Sequence, residues 1–72
     1  MMNLQRRRKA LKLSQSRLAA ISGVHASDIS RFESGRLIPY PGQLKKLLEA
    51  LGLEEDAGPW LMQKDEKATK ES

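Results

Sequence analysis

Cationic side chains dominate the chemistry this sequence can offer. Residues 1–46 carry ten bases (Arg6, Arg7, Arg8, Lys9, Lys12, Arg17, Arg31, Arg36, Lys45 and Lys46) against two acids, Asp28 and Glu33, a net of +8. Residues 47–72 carry three bases and seven acids, a net of −4, so the chain of 72 residues sums to +4. A strongly basic portion facing a polyanion, with an acidic remainder facing water, is an electrostatic footprint for nucleic acid. On charge alone, an ordinary solvated surface on which Lys and Arg cluster early accounts for the split equally well.

Catalytic and metal chemistry find little to work with. The sequence has no Cys and a single His, His25, whereas zinc usually takes three or four protein ligands. Without Cys there is no disulfide framework, which fits a reducing compartment. No Gly-rich phosphate loop is present, and Glu54, Glu55 and Asp56 read as a solvated run opening a helix. The expectation is a protein that is not an enzyme, with no cofactor, no metal and no evident small-molecule ligand. The longest apolar run, Leu18-Ala19-Ala20-Ile21, is far short of the roughly 20 residues that span a bilayer. Nor does the basic start lead into an apolar stretch, as a secretory signal would. A soluble, cytoplasmic protein without a membrane partner is therefore expected.

The elements that must position these side chains are short. The length allows one small domain, whose single core supplies only about 3–5 kcal/mol, so every helix must contribute. Residues 1–12 read as a helix capped by Asn3, with Leu4 and Leu11 on one side. Its run Arg6-Arg7-Arg8-Lys9 steps about 100° per residue, so most of the four are solvated and one points inward. Ser14 caps a second helix over 15–22, buried through Leu18, Ile21 and Ala19 and ended by Gly23, with Val24 plugging the turn. A third helix over 26–33 buries Ile29 and Phe32 and stops at Ser34-Gly35; His25 stands at its cap, where Ser, Thr, Asp or Asn is preferred. Residues 36–42 form a loop shaped by Pro39 and Pro41. Leu44, Leu47, Leu48 and Leu51 then mark the clearest amphipathic helix, closed by Gly52. A last short helix over 59–64 carries Trp60 and Leu61 inward. The fold class is all-α, a compact bundle of four to five short helices spanning 1–64, with a flexible polar tail over 65–72.

Two eight-residue helices joined by a turn containing Gly, over 13–35, make a helix-turn-helix arrangement. The residues go further. Leu13-Ser14-Gln15, Leu18-Ala19-Ala20-Ile21-Ser22-Gly23-Val24, Ser27, Ile29-Ser30-Arg31 and Glu33-Ser34-Gly35 together closely resemble the Cro-type, lambda-repressor-like helix-turn-helix regulators, also called the xenobiotic-response-element family. The likeness reaches upstream to Leu4 and Arg8 and downstream through Pro39 and Leu44 to Leu53.

The resemblance implies a sequence-specific transcription regulator, repressor-like, whose helix over 26–33 lies in the major groove of double-stranded DNA. Ala26, Ser27, Ser30 and Arg31 would then face base edges. Gln15, Arg17, Ser34, Arg36, Tyr40 and Gln43 would contact phosphates, with Gln15 also bracing the recognition helix. Arg8 and Glu33 match a pair that bridges the first and third helices in this family. Many relatives dimerise on palindromic half-sites, so a homodimer on such a site is the second partner implied.

A helical wheel supports the same face independently. With Ile29 and Phe32 inward, Ser27, Arg31 and Ser34 point away from the core and Ser30 lies at the edge. Arg31 is the best candidate for discrimination, because its planar fork can bond guanine O6 and N7 together; its competing role is a salt bridge to Asp28. Asp28 itself suits the helix dipole of the first turn better than a base contact. His25 and Tyr40 depart from the small capping residues usual in the family. His25 either contacts a phosphate, more so when protonated, or is a loop histidine without a task, the latter favoured; Tyr40 either bonds a phosphate or packs on the loop. Trp60 and Leu61 complete the core or form a dimer surface, with core favoured. The alternative function is a protein-interaction module, such as an antitoxin or antirepressor, acting through its acidic, Trp-bearing C-terminal segment.

Overall fold

Each change of direction between the helices traces to an identifiable residue. The computed structural model describes residues 2–64; the tail expected over 65–72 lies outside them. Five helices follow in order: α1 Asn3–Ala10, α2 Gln15–Ser22, α3 Ala26–Glu33, α4 Pro41–Ala50 and the single turn α5 Gly58–Leu61, the last entered through a 3-10 turn at Glu55–Ala57. The all-α expectation holds: among the described residues, β pairing is limited to one isolated bridge between Met2 and Lys64.

The α1 boundaries differ from the sequence reading at both ends. Asn3 is not the cap; Met2 holds that position, and the Asn3 side chain is drawn elsewhere. Its Nδ2 donates to the Trp60 carbonyl at 2.8 Å and its backbone N–H to the Gln63 carbonyl at 2.8 Å. The start of the chain is thus stitched to the segment around α5. At the other end Lys12 adopts φ 60°, the left-handed region usually left to Gly, Asn or Asp. That conformation ends α1 two residues early and leaves Leu11, expected beside Leu4, exposed at the helix cap. Between α2 and α3, Gly23 takes φ 79°, the left-handed exit expected of it.

The core is built by every helix. Leu4 from α1, Leu18 from α2, Ile29 and Phe32 from α3, Leu47 from α4, Leu51 at its cap and Leu61 from α5 are all fully buried. Two expected core residues are absent from it. Ile21 is 46% exposed, because a two-turn helix meets its neighbours along one narrow stripe and Leu18, with Val24 in the turn, fills it. Trp60 is 42% exposed; successive residues on a single turn diverge by about 100°, so burying Leu61 turns its neighbour out. At Gly58 α5 sits close to α4: a Cβ there would stand 3.0 Å from Leu44 Cδ2, so the Leu44 side chain would have to shift to admit it. Finally, Arg7 donates from Nε (3.2 Å) and Nη2 (3.0 Å) to the Leu51 carbonyl. This cation satisfies an orphan acceptor at the C-terminal end of α4.

Candidate nucleic-acid interface

The candidate surface begins with α2. The Ser14 hydroxyl accepts the Arg17 backbone N–H at 2.9 Å, satisfying one of the donors that a helix start leaves open. After the Gly23 turn, α3 starts at Ala26 behind His25, whose side chain makes no capping bond. Burying Ile29, Phe32 and Glu33 fixes the orientation of α3. Ser27, Ser30, Arg31 and Ser34 are exposed on it, and Ala26 is half-buried.

Arg31 is the cation among these groups. Its side chain is 61% exposed, and its Nη1 stands 3.6 Å from Asp28 Oδ1. That separation exceeds hydrogen-bond length, so the ion pair is loose and the fork keeps its donors for another acceptor. The Ser34 hydroxyl donates to the Arg31 carbonyl at 3.0 Å, closing the C-terminal end of α3.

Behind this face lies a rigid support. The structure brings Arg8, Gln15 and Glu33 together from three different helices. Arg8 Nε donates to Glu33 Oε2 at 2.7 Å and Nη2 to Oε1 at 3.1 Å, a bidentate pair. Gln15 Nε2 adds a bond to Oε1 at 3.0 Å, and Arg8 Nη1 donates to the Leu13 carbonyl at 2.7 Å. The two charged side chains are only 9% and 4% exposed. Charge-assisted, bidentate bonds of this kind are short and directional. They tie α3 to α1 and to the start of α2. Among the described residues, no buried side-chain polar atom lacks a partner.

The loop after α3 continues the surface. Arg36, Ile38 and Tyr40 are exposed and Gln43 is half-buried. Gln43 Oε1 accepts the Tyr40 backbone N–H at 3.0 Å, the return half of a capping box at the start of α4, which leaves the Tyr40 ring in solvent. A shallow cleft lined by Asp28, Arg36, Leu37, Ile38, Tyr40 and Gln43 joins this loop to α3. It gathers three of the residues expected at phosphates with one acid that was not.

Sequence reasoning missed the role of Arg7. The cationic run showed that its members point in different directions, but no signal paired Arg7 with a carbonyl 44 residues away. Among the described residues no group of His, Cys, Asp and Glu is placed to hold a metal, and no helix is long and apolar enough to cross a membrane.

Comparison with known proteins gives the same frame. A helix-turn-helix family model matches residues 4–57. Over 45 residues the chain is 51% identical to the HTH-type transcriptional repressor RghR of Bacillus subtilis (strain 168), covering 61% of this chain and 33% of that protein. The chain thus spans about a third of the length of the curated relative it matches. No solved structure matches it significantly.

Proposed function

The chain belongs to this helix-turn-helix family, and from that premise we propose that it is a sequence-specific, double-stranded-DNA-binding transcription regulator of repressor type. One observation carries the reading: α3 buries Ile29, Phe32 and Glu33 while Ser27, Ser30 and Arg31 stand exposed. A rigid helix with a polar outer face and an available guanidinium is what the major groove admits and what guanine recognition uses. In this reading Arg31 bonds guanine O6 and N7, the Ala26 methyl packs on a thymine methyl, and Ser27 and Ser30 adapt to several bases. Gln15 has a second amide N–H beyond the one given to Glu33, and it meets a phosphate together with Arg17, Ser34, Arg36, Tyr40 and Gln43. These contacts set register and orientation.

In this reading the chain acts on DNA in the cytoplasm, and two copies on a palindromic site would place their α3 helices in successive major grooves. Half-sites then lie about 34–36 Å apart. The similarity to a protein named as a transcriptional repressor favours this reading over capture of a partner protein. Selection of bound duplexes from a random pool at moderate salt tests it: a single enriched motif containing guanine is expected, palindromic if the chain binds as a dimer. A pool left unenriched overturns the proposal.

A further inference from the structure

Asp28 is the residue that the DNA-binding reading leaves without a task. The basic portion, residues 1–46, contains two acids. One of them, Glu33, is buried against Arg8 and Gln15. Asp28 is therefore the one carboxylate that this portion presents toward solvent, with its side chain 25% exposed. It lies on α3, the helix assigned to the groove, and lines the cleft with Arg36, Tyr40 and Gln43. A group placed there for the helix dipole alone would weaken binding to every phosphate backbone.

The geometry points to a different use: we infer that Asp28 is a specificity-determining residue that accepts a hydrogen bond from the N4 amino group of a cytosine adjacent to, or paired with, the guanine read by Arg31. The inference rests on the DNA-binding reading above. Three features support it. First, Asp28 and Arg31 sit three residues apart on one helix, about 4.5 Å along its axis. That rise is close to the 3.4 Å between base pairs, so the two side chains reach the same or neighbouring pairs. Second, their contact at 3.6 Å is too long for a hydrogen bond, so both groups leave it readily for better partners. Third, an ionised carboxylate only accepts. In the major groove cytosine offers it an N4 donor with no acceptor beside it, whereas adenine sets its N6 donor next to the N7 acceptor, guanine presents acceptors and thymine an acceptor beside a methyl group. Against guanine and thymine a desolvated carboxylate stays unpaired, and against adenine its bond to N6 is opposed by the lone pair on N7. Asp28 thus contributes attraction toward one base and repulsion toward others, and discrimination is the difference between them.

The experiment is duplex selection from a random pool, run in parallel with the wild-type chain, Asp28→Ala and Asp28→Asn, with thermal melting of each. Asp28 is partly exposed on the helix surface and both replacements are no larger than it, so the fold is expected to tolerate them, and the melting midpoints verify that the variants are folded. The wild type is expected to enrich cytosine at one position next to, or opposite, the Arg31 guanine. In Asp28→Ala that preference falls by about tenfold or more, while affinity for arbitrary duplexes tightens because a like charge is gone. Asp28→Asn moves the preference toward adenine, whose N6 and N7 an amide bonds together. A motif identical in all three proteins overturns the inference and leaves DNA reading by α3 intact. A wild type that enriches no motif overturns the DNA-binding reading and this inference with it. If Asp28→Ala proves unfolded, Asp28→Asn decides: retained cytosine preference refutes the assignment, and a shift to adenine supports it.

Discussion

Arg8 and Arg31 carry the same guanidinium into opposite surroundings. Arg8 is 9% exposed and held bidentately by Glu33, whereas Arg31 is 61% exposed and only loosely paired. Burial decides what each does. Arg8→Ala leaves Glu33 charged and buried, with Gln15 as its remaining donor, and is expected to cost about 3–5 kcal/mol in urea unfolding. A loss under about 1 kcal/mol, the range of exposed pairs, would contradict a buried structural role. Arg31→Ala, by contrast, is expected to leave the melting midpoint nearly unchanged. It should lower the preference for the selected duplex over a scrambled one by about 1–3 kcal/mol, read by competition binding. Unaltered discrimination by Arg31→Ala would move base reading away from this residue and onto the other exposed positions of α3.

At the scale of helices, stability depends on a few capping positions. Space is open where a methyl on Gly23 would stand, but the backbone there has a φ of 79°, so Gly23→Ala is penalised by conformation alone. The expected loss is about 1–2 kcal/mol, against about 0.5–2 kcal/mol for Ser14→Ala at the α2 cap; chemical denaturation measures both. A neutral Gly23→Ala would mean that the turn relaxes out of the left-handed region. These same positions explain what was legible in the sequence. The ranges of α2 and α3 were readable because Ser14, Gly23 and Ser34-Gly35 act locally, on backbone groups within a few residues. The ends of α1 were not, because Asn3 is claimed by the Trp60 carbonyl 57 residues away and Lys12 takes a conformation its type does not advertise. Periodicity likewise named the apolar sides of the helices but could not say how wide a stripe each neighbour covers, which is why Ile21 and Trp60 were expected inside. Of the site, the outward set on α3 followed from helical spacing, while the loose Asp28–Arg31 pair and the shared cleft depend on how the chain packs in three dimensions.

For the whole molecule, charge separation along the chain turns into a prediction about salt. Several cations of the basic portion are already engaged: Arg8 with Glu33, Arg7 with the α4 terminus, and Lys45 at 3.7 Å from Glu55. The contacts proposed for Arg17 and Arg36 each release counterions from DNA, so affinity should fall with a log–log slope of about −0.9 per phosphate neutralised. Arg36→Ala is expected to weaken all duplexes alike and to reduce the magnitude of that slope by about one. The central claim is that this helix-turn-helix chain reads a duplex sequence through α3. Its most direct test is the affinity of the wild-type chain for its selected duplex and for a scrambled duplex of the same length, titrated from low to moderate salt. Steep salt dependence is expected for both, with the selected duplex bound at least about a thousandfold more tightly at physiological salt. Equal affinity for the two duplexes, or binding that does not respond to salt, would contradict it.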